Sequence, residues 1–374
     1  MPRFLHTADW QIGGQFPRFE PEDAIALSEA RLEAVERIAE LACAEHVDAV
    51  LVAGDVFDVQ TVSDRTIGRL FNALDGFRGP WIMISGNHDA ALAESVWTRA
   101  LRLGLVSEHV HLLLEPKALE FPELGFAVLG APLRQRHTHD DPSAWFDAAR
   151  TTPGLLRIGL AHASVQGLLM DGIDSANPIA ADRAVRADLA YLALGDWHGV
   201  RRIDERSWYS GTPEQDRFKD NDAGHVLLVD IPAAEDTPQV ELRRIGRHSW
   251  VAQQVRLDVD TDLDRLEGEL RRLPPRSVVQ LEIGGCLDLA ARQRLDRLLA
   301  LTSARQRALL ADLSALRLQP SDADIAALHA DGYLGEVLVE LRERQVDAVD
   351  SVASEALLML AGLLSERNAQ ECRS

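Results

Sequence analysis

The chain predicts an α/β layered domain followed by a smaller α+β unit, and three observations carry that expectation. Short apolar, β-rich runs alternate with stretches of helical spacing through the first half. Residue types that bind metals stand where those apolar runs end, and from about Gly224 the texture changes to successive strands. Phe4-Leu5-His6-Thr7-Ala8 reads as the first strand and runs into Asp9-Trp10-Gln11. Between about Pro21 and Glu45, Leu27, Ala34, Ile38 and Leu41 recur at helical spacing. Ala49 to Ala53 is continuously apolar, the pattern of a strand buried on both faces, and it ends at Gly54-Asp55-Val56-Phe57-Asp58. A second helix near Ser63 to Leu74 leads to the strand Trp81 to Ile84 and then to Gly86-Asn87-His88-Asp89. Gly125 to Gly130, Leu155 to Ala161 and Tyr191 to Leu194 repeat the logic; His162 follows the second of these and Gly195-Asp196-Trp197-His198 the third. Open α/β sheets present their functional loops at such strand ends.

His225 to Val229, Gln239 to Leu242 and Val251 to Leu257 read as antiparallel strands that complete a second sheet, giving a first domain of residues 1–257. Residues 258–345 read as a cap: a helix from Asp262 to Arg272, a break at Pro274-Pro275, a strand from Val278 to Ile283 and a helix from Asp288 to about Ala304. In residues 346–374, Val349, Val352, Leu357, Leu360 and Leu364 form an amphipathic stripe, read either as internal packing or as a partner-docking helix.

At 374 residues and 46% hydrophobic, the chain can bury a large core. It holds no apolar run near the roughly 20 residues that cross a bilayer, and its start lacks the pattern of a secretory signal. Cys43, Cys286 and Cys372 are widely spaced without a CxxC pair, so neither a disulfide framework nor a thiolate metal site is expected. A cytoplasmic location without membrane attachment is the resulting expectation. The net charge of −20 argues against coating nucleic acid by bulk electrostatics. Lys117 and Lys219 are the only lysines, so a polynucleotide would depend on local arginines, bound ions and a partner. Arg134 and Arg136, beside His137 and His139, and the pair Arg201-Arg202 are the candidates for backbone phosphate contacts, with a solvated surface as the plainer reading.

Asp9, Gln11, Asp55, Asn87, His162, Asp196 and His198 together offer oxygen and nitrogen donors only. Hydrolysing a phosphodiester requires lowering its barrier by on the order of 20 kcal/mol. Two divalent ions about 3.5–4 Å apart can do much of this, given one shared carboxylate and further hard ligands on each side. Asp55 is the expected bridge. Asp9, Gln11 and His198 would complete one ion, and Asn87, His162 and Asp196 the other. His88 would contact the phosphate or protonate the leaving oxygen, with Asp58 orienting its ring. Taken singly, Asp9 and Asp55 are ordinary helix caps, Gly86 to Asp89 is a turn and His162 is a structural histidine; it is the set that points to metal chemistry.

These blocks resemble the calcineurin-like metallophosphoesterases, whose pattern is DxH, GDxxD, GNHD, a lone His and GHxH. More narrowly, His6 to Trp10, Ala53 to Asp58 and Tyr209-Ser210-Gly211-Thr212-Pro213 are similar to the SbcD-type nuclease subunits of DNA repair complexes, over about residues 1–245. The resemblance implies a four-layer α/β/β/α metallophosphoesterase sandwich with a small α+β C-terminal cap domain. It also implies DNA exo- or endonuclease activity through a hydroxide activated by two metals, a homodimer, and an SMC-like (SbcC-type) ATPase as partner on DNA. Gln11 and Asp196 depart from the pattern, each standing where the family has histidine. Exchanging nitrogen for oxygen donors favours Mn²⁺ or Mg²⁺ over Zn²⁺. Two other readings use the same residues: a small-molecule phosphodiesterase or phosphatase, which suits the acidity, and a weakly active scaffold with a degenerate metal site.

Overall fold

A computed structural model of the chain describes residues 2–167, 176–319, 333–346 and five positions between 352 and 360. The chain divides into two units, Met1–His248 and Ser249–Ser374. In the first, β1 (Arg3–Thr7), β2 (Ala49–Val52), β3 (Trp81–Ile84) and β4 (Val110–Leu113) run parallel. They are joined through α1 (Pro21–Ala44), α2 (Asp64–Leu74) and α3 (Val96–Arg102). Pro21 starts α1 where its missing N–H costs nothing, and Glu22 and Asp23 lie at the positive end of the helix dipole. Ser63 caps α2 by accepting the Thr66 N–H at 3.1 Å. Val35, Ile38, Ile67, Leu70 and Trp97 from these helices meet Trp81 and Val50 of the sheet in one core.

The second sheet holds β5 (Lys117–Phe121), β6 (Phe126–Ala131) and β7 (Leu156–His162). After the short pair β8 (Ser164–Val165) and β9 (Pro178–Ile179) and the helix α4 (Arg183–Arg186), it continues with β10 (Tyr191–Gly195), β11 (Arg201–Arg202) and β12 (Ser207–Tyr209). Its order is β11-β12-β10-β7-β6-β5. The two sheets share a second core, in which Phe4, Leu51 and Ile82 face Phe126, Ile158, Leu160 and Tyr191. The outer side of the second sheet is covered by the 3-10 turn Ala144–Asp147, α4 and the segment after it, with Phe146 and Leu189 packing in one core with Tyr209 of β12.

Two strand assignments differ from the sequence expectation. β13 (His225–Asp230) and β14 (Gln239–Arg244) are antiparallel as expected, but they extend the first sheet, with β13 alongside β1. The reason is that β13 is apolar on both faces. Val226 and Leu228 enter the helix-side core, whereas Leu227 and Val229 enter the core between the sheets. β15 (Trp250–Leu257) does not complete the first domain. It pairs in parallel with β16 (Val278–Leu287) in the second unit, where Leu257 and Val255 pack against Leu263 and Leu266 of α5 (Asp260–Arg272). α6 (Leu289–Arg305), β17 (Ala308–Asp312), β18 (Leu316–Leu318) and α7 (Tyr333–Val346) follow. Of the C-terminal stripe, Val352 and Leu360 are helical, while Val349, Leu357 and Leu364 lie outside the described residues. Among the described residues no helix is long and apolar enough to cross a membrane.

Candidate metal centre

Five strand ends, three from the first sheet and two from the second, bring the acidic and imidazole side chains together. Asp9 follows β1, Asp55 follows β2 and Asn87 follows β3; His162 ends β7, and Asp196 follows β10. The loops after β1 and β2 continue to pair beyond the strands. The N–H groups of Asp9, Gln11 and Ile12 donate to the carbonyls of Gly54, Asp55 and Val56 at 3.0, 3.0 and 2.8 Å. Asp9, Gln11, Asp55 and Asp196 are four of the nine non-glycine residues with positive φ among the described residues. Such strained backbone persists where the surroundings over-determine it, and it collects at functional sites. Glycine is required next to two of these residues by close approach. A Cβ on Gly86 would lie 2.2 Å from Asp55 Oδ1, and one on Gly195 would lie 2.0 Å from the Ala53 carbonyl oxygen.

Asp9, Asp55 and His162 are buried, and their ligand atoms all lie within 4.8 Å of one another. His162 Nε2 is 2.9 Å from Asn87 Oδ1, 3.5 Å from Asp55 Oδ1 and 3.8 Å from Asp196 Oδ1. Its Nδ1 donates to the Ala53 carbonyl at 2.8 Å, which turns Nε2 toward the carboxylates. Burial works against a charge on this ring, but Asp55, Asp9 and Asp196 outweigh it and hold His162 up to about 9. Burial pushes the Asp9 carboxyl up to about 6, moderated by the nearby charges of His198 and His162. Asp196 is likewise raised by burial, and its own N–H donates to Asp9 Oδ1 at 3.2 Å.

The other expected site residues take distinct places. Gln11 Nε2 donates to Asp55 Oδ2 at 2.7 Å, while its buried Oε1 has no hydrogen-bond partner. An orphaned buried carbonyl oxygen on a side chain bonded to the Asp55 carboxylate is what a hard divalent cation would satisfy, and the all-oxygen-and-nitrogen donor set fits one. His88 is half-buried; its N–H donates to Asp55 Oδ1 at 2.9 Å, and its ring Nδ1 bonds the Asp58 backbone carbonyl at 2.7 Å. The Asp58 carboxylate is 3.5 Å from the same nitrogen. His198 Nδ1 bonds Asp216 Oδ2 at 3.0 Å. Arg134 and Arg136 are exposed, and no contact among the described residues ties their side chains to the centre. The Arg202 guanidinium lies over Trp208 at 5.6 Å and donates to the Asp204 carbonyl at 3.0 Å. Trp10 is buried in the core against Trp81, while Trp197 is half-buried.

Sequence reasoning gave no role to Asp89, Asp216 or Arg31. The buried Asp89 carboxylate accepts the N–H groups of Gly86, Val56 and Phe57 at 2.6, 2.8 and 3.1 Å, locking the third loop onto the second. Burial, with Asp55 close by, pushes its carboxyl up to about 7. Asp216 is opposed by burial, yet the bond to His198 and the charge of Arg31 hold it well below the usual carboxylate range. Arg31, buried on α1, pairs with Asp216 at 3.3 Å and donates to the Trp10 carbonyl at 2.9 Å. The signals available were the final residue of Gly86-Asn87-His88-Asp89 and an acid three positions after Pro213.

Two facing sheets with a carboxylate-and-imidazole centre at their strand ends define a hydrolytic metalloenzyme. The family model for calcineurin-like phosphoesterase matches residues 2–227. The chain belongs to that family and is a metal-dependent phosphodiester hydrolase. It is 28% identical over 285 residues to the D subunit of the nuclease SbcCD of Bacillus subtilis, covering 66% of this chain and 70% of that protein. With the corresponding SbcCD nuclease protein of Rhodobacter capsulatus the identity is 32% over 260 residues, or 56% of this chain and 62% of the relative. The DNA double-strand break repair protein Mre11 of Aeropyrum pernix is 26% identical over 279 residues, 70% of this chain and 64% of its own length.

Proposed function

We propose that this chain is a DNA nuclease subunit, acting as a homodimer in the cytoplasm with an SMC-like ATPase. The observation that carries the reading is the convergence of Asp9, Asp55, Asn87, His162 and Asp196 at five strand ends, together with the nuclease names of the relatives. Asp9, Gln11, Asp55 and His198 would hold one divalent ion and Asp55, Asn87, His162 and Asp196 a second, with Mn²⁺ or Mg²⁺ suiting the oxygen-rich set. When bound, such ions supply Lewis-acid stabilisation of phosphate charge and lower the pKa of water.

The protein's own groups do the rest. Ala53 and Asp216 fix the rings of His162 and His198, so each presents Nε2 forward. The Asp58 carbonyl holds His88 by Nδ1, leaving its Nε2 to contact the phosphate or pass a proton to the leaving oxygen. The acidity of the chain, at −20, assigns most of the DNA affinity to the partner and to local cations. The test compares Mn²⁺-dependent turnover of linear DNA with that of small phosphodiesters, using wild type and His88→Ala. DNA cleavage that falls at least about 100-fold in the variant is the expected result. Efficient turnover of small diesters with DNA left intact would favour the small-molecule reading instead.

A further inference from the structure

Trp197 stands in the chain between two residues of the centre, and its ring carries two cations. The Arg201 guanidinium lies 5.3 Å from the indole centroid and the Lys219 ammonium 4.3 Å from it. The indole itself packs against the core on the outer side of the second sheet, so the platform is held by the fold. Neither cation forms an ion pair among the described residues. The nearby Arg217 shows the alternative, since Asp216 takes its Nε and Nη2 at 2.9 and 3.0 Å. Lys219 is also one of only two lysines in the chain.

Each cation rests against the aromatic ring without a carboxylate partner among the described residues, and the phosphates of a bound strand would supply the counter-charge that the protein does not. We propose that Arg201 and Lys219, carried on Trp197, form a subsite for the phosphate neighbouring the scissile one in a polynucleotide strand, on the Asp196–His198 side of the centre. The inference rests on the nuclease reading and deepens it. An ester with a single phosphate uses the metal centre alone, whereas a strand engages both places, and a strongly acidic chain thereby gains a local hold on a polyanion.

The test uses the full chain with Mn²⁺, as wild type, Lys219→Gln and Arg201→Gln. Bis(p-nitrophenyl) phosphate, with one phosphate, is compared with a single-stranded oligothymidylate. Each substitution is expected to raise KM for the oligonucleotide about tenfold more than KM for the small ester, because one charge-assisted contact is lost. In anisotropy titrations of a labelled oligonucleotide over a range of salt concentrations, each should also reduce the slope of log affinity against log salt by about 0.7 to 1. Equal changes on both substrates with an unaltered salt slope would overturn the subsite and leave the nuclease reading standing. Wild-type protein that turns over the small ester but neither binds nor cleaves the oligonucleotide would overturn both.

Discussion

The two flanks of the metal centre share Asp55 but are built differently. On the Asn87, His162 and Asp196 flank the donor atoms are already gathered, at 2.9 to 3.8 Å from His162 Nε2, and the histidine is pinned from behind by Ala53. On the Asp9, Gln11 and His198 flank, Gln11 turns an amide N–H toward Asp55 Oδ2 and leaves its carbonyl oxygen buried without a partner. His198 is held by Asp216, itself tied to Arg31. The departures from the family pattern explain the contrast. Asp196 adds a hard anionic donor to the first flank, whereas Gln11 gives the second a neutral oxygen and a competing N–H. On the proposed ligand assignment, the first flank would be the tighter ion site and the second the looser.

The severest way to break that comparison is Asp55→Ala, which removes the carboxylate both flanks share. Loss of both ions and of at least about 1,000-fold in turnover is expected, equivalent to several kcal/mol of lost Lewis-acid stabilisation; elemental analysis and steady-state kinetics check it. His88→Ala touches neither flank. It should lower kcat by about 100- to 10,000-fold while metal stoichiometry stays unchanged, so a variant that loses an ion would show His88 to be structural. Asp216→Asn acts on the looser flank alone, through the orientation of His198. It should weaken the second binding step of a Mn²⁺ titration by about 10- to 100-fold and leave the first untouched. Gln11→His sharpens the comparison from the other side, tightening that second step by about tenfold and moving preference toward Zn²⁺.

The smallest effect is the pH dependence. Asp9 has a pKa of about 6 in the fold against an ordinary 3.8, so its burial costs stability progressively as pH rises from about 4 through 6. His162, at about 9 against 6.5, contributes stability that is fully present below about 6.5 and is lost as pH rises through 9. Chelator-treated protein should therefore lose Tm across this range. Ion binding wants Asp9 ionised and His162 neutral and so releases protons. The Tm gained on adding Mn²⁺ should be larger at pH 9 than at pH 6; a gain independent of pH would separate these two groups from the ion.

Much of the centre was legible in the sequence because each ligand type follows an apolar run, and strand ends in α/β sheets gather their loops on one side. The helices from Pro21 and from Ser63 were legible for the same kind of reason, through spacing and capping residues. Strand partnership was not. β13 carries no local mark that it lies beside β1; that follows only from both of its faces being covered, a property of the assembled layers. β15 reads as one more amphipathic strand, and only its pairing with β16 assigns it to the second unit. Asp89, Asp216 and Arg31 were missed because their work is on backbone N–H groups and on other side chains, which no spacing rule encodes. Arg134 and Arg136 stand exposed, and a basic loop in the sequence carries no stated distance from the ligands.

The most direct measurement is anomalous scattering from crystals of the Mn²⁺-loaded protein. Two peaks about 3.5–4 Å apart on either side of the Asp55 carboxylate are expected, with the fuller occupancy beside Asn87, His162 and Asp196. Ions bound away from Asp55, or a fuller peak beside Gln11 and His198, would contradict it.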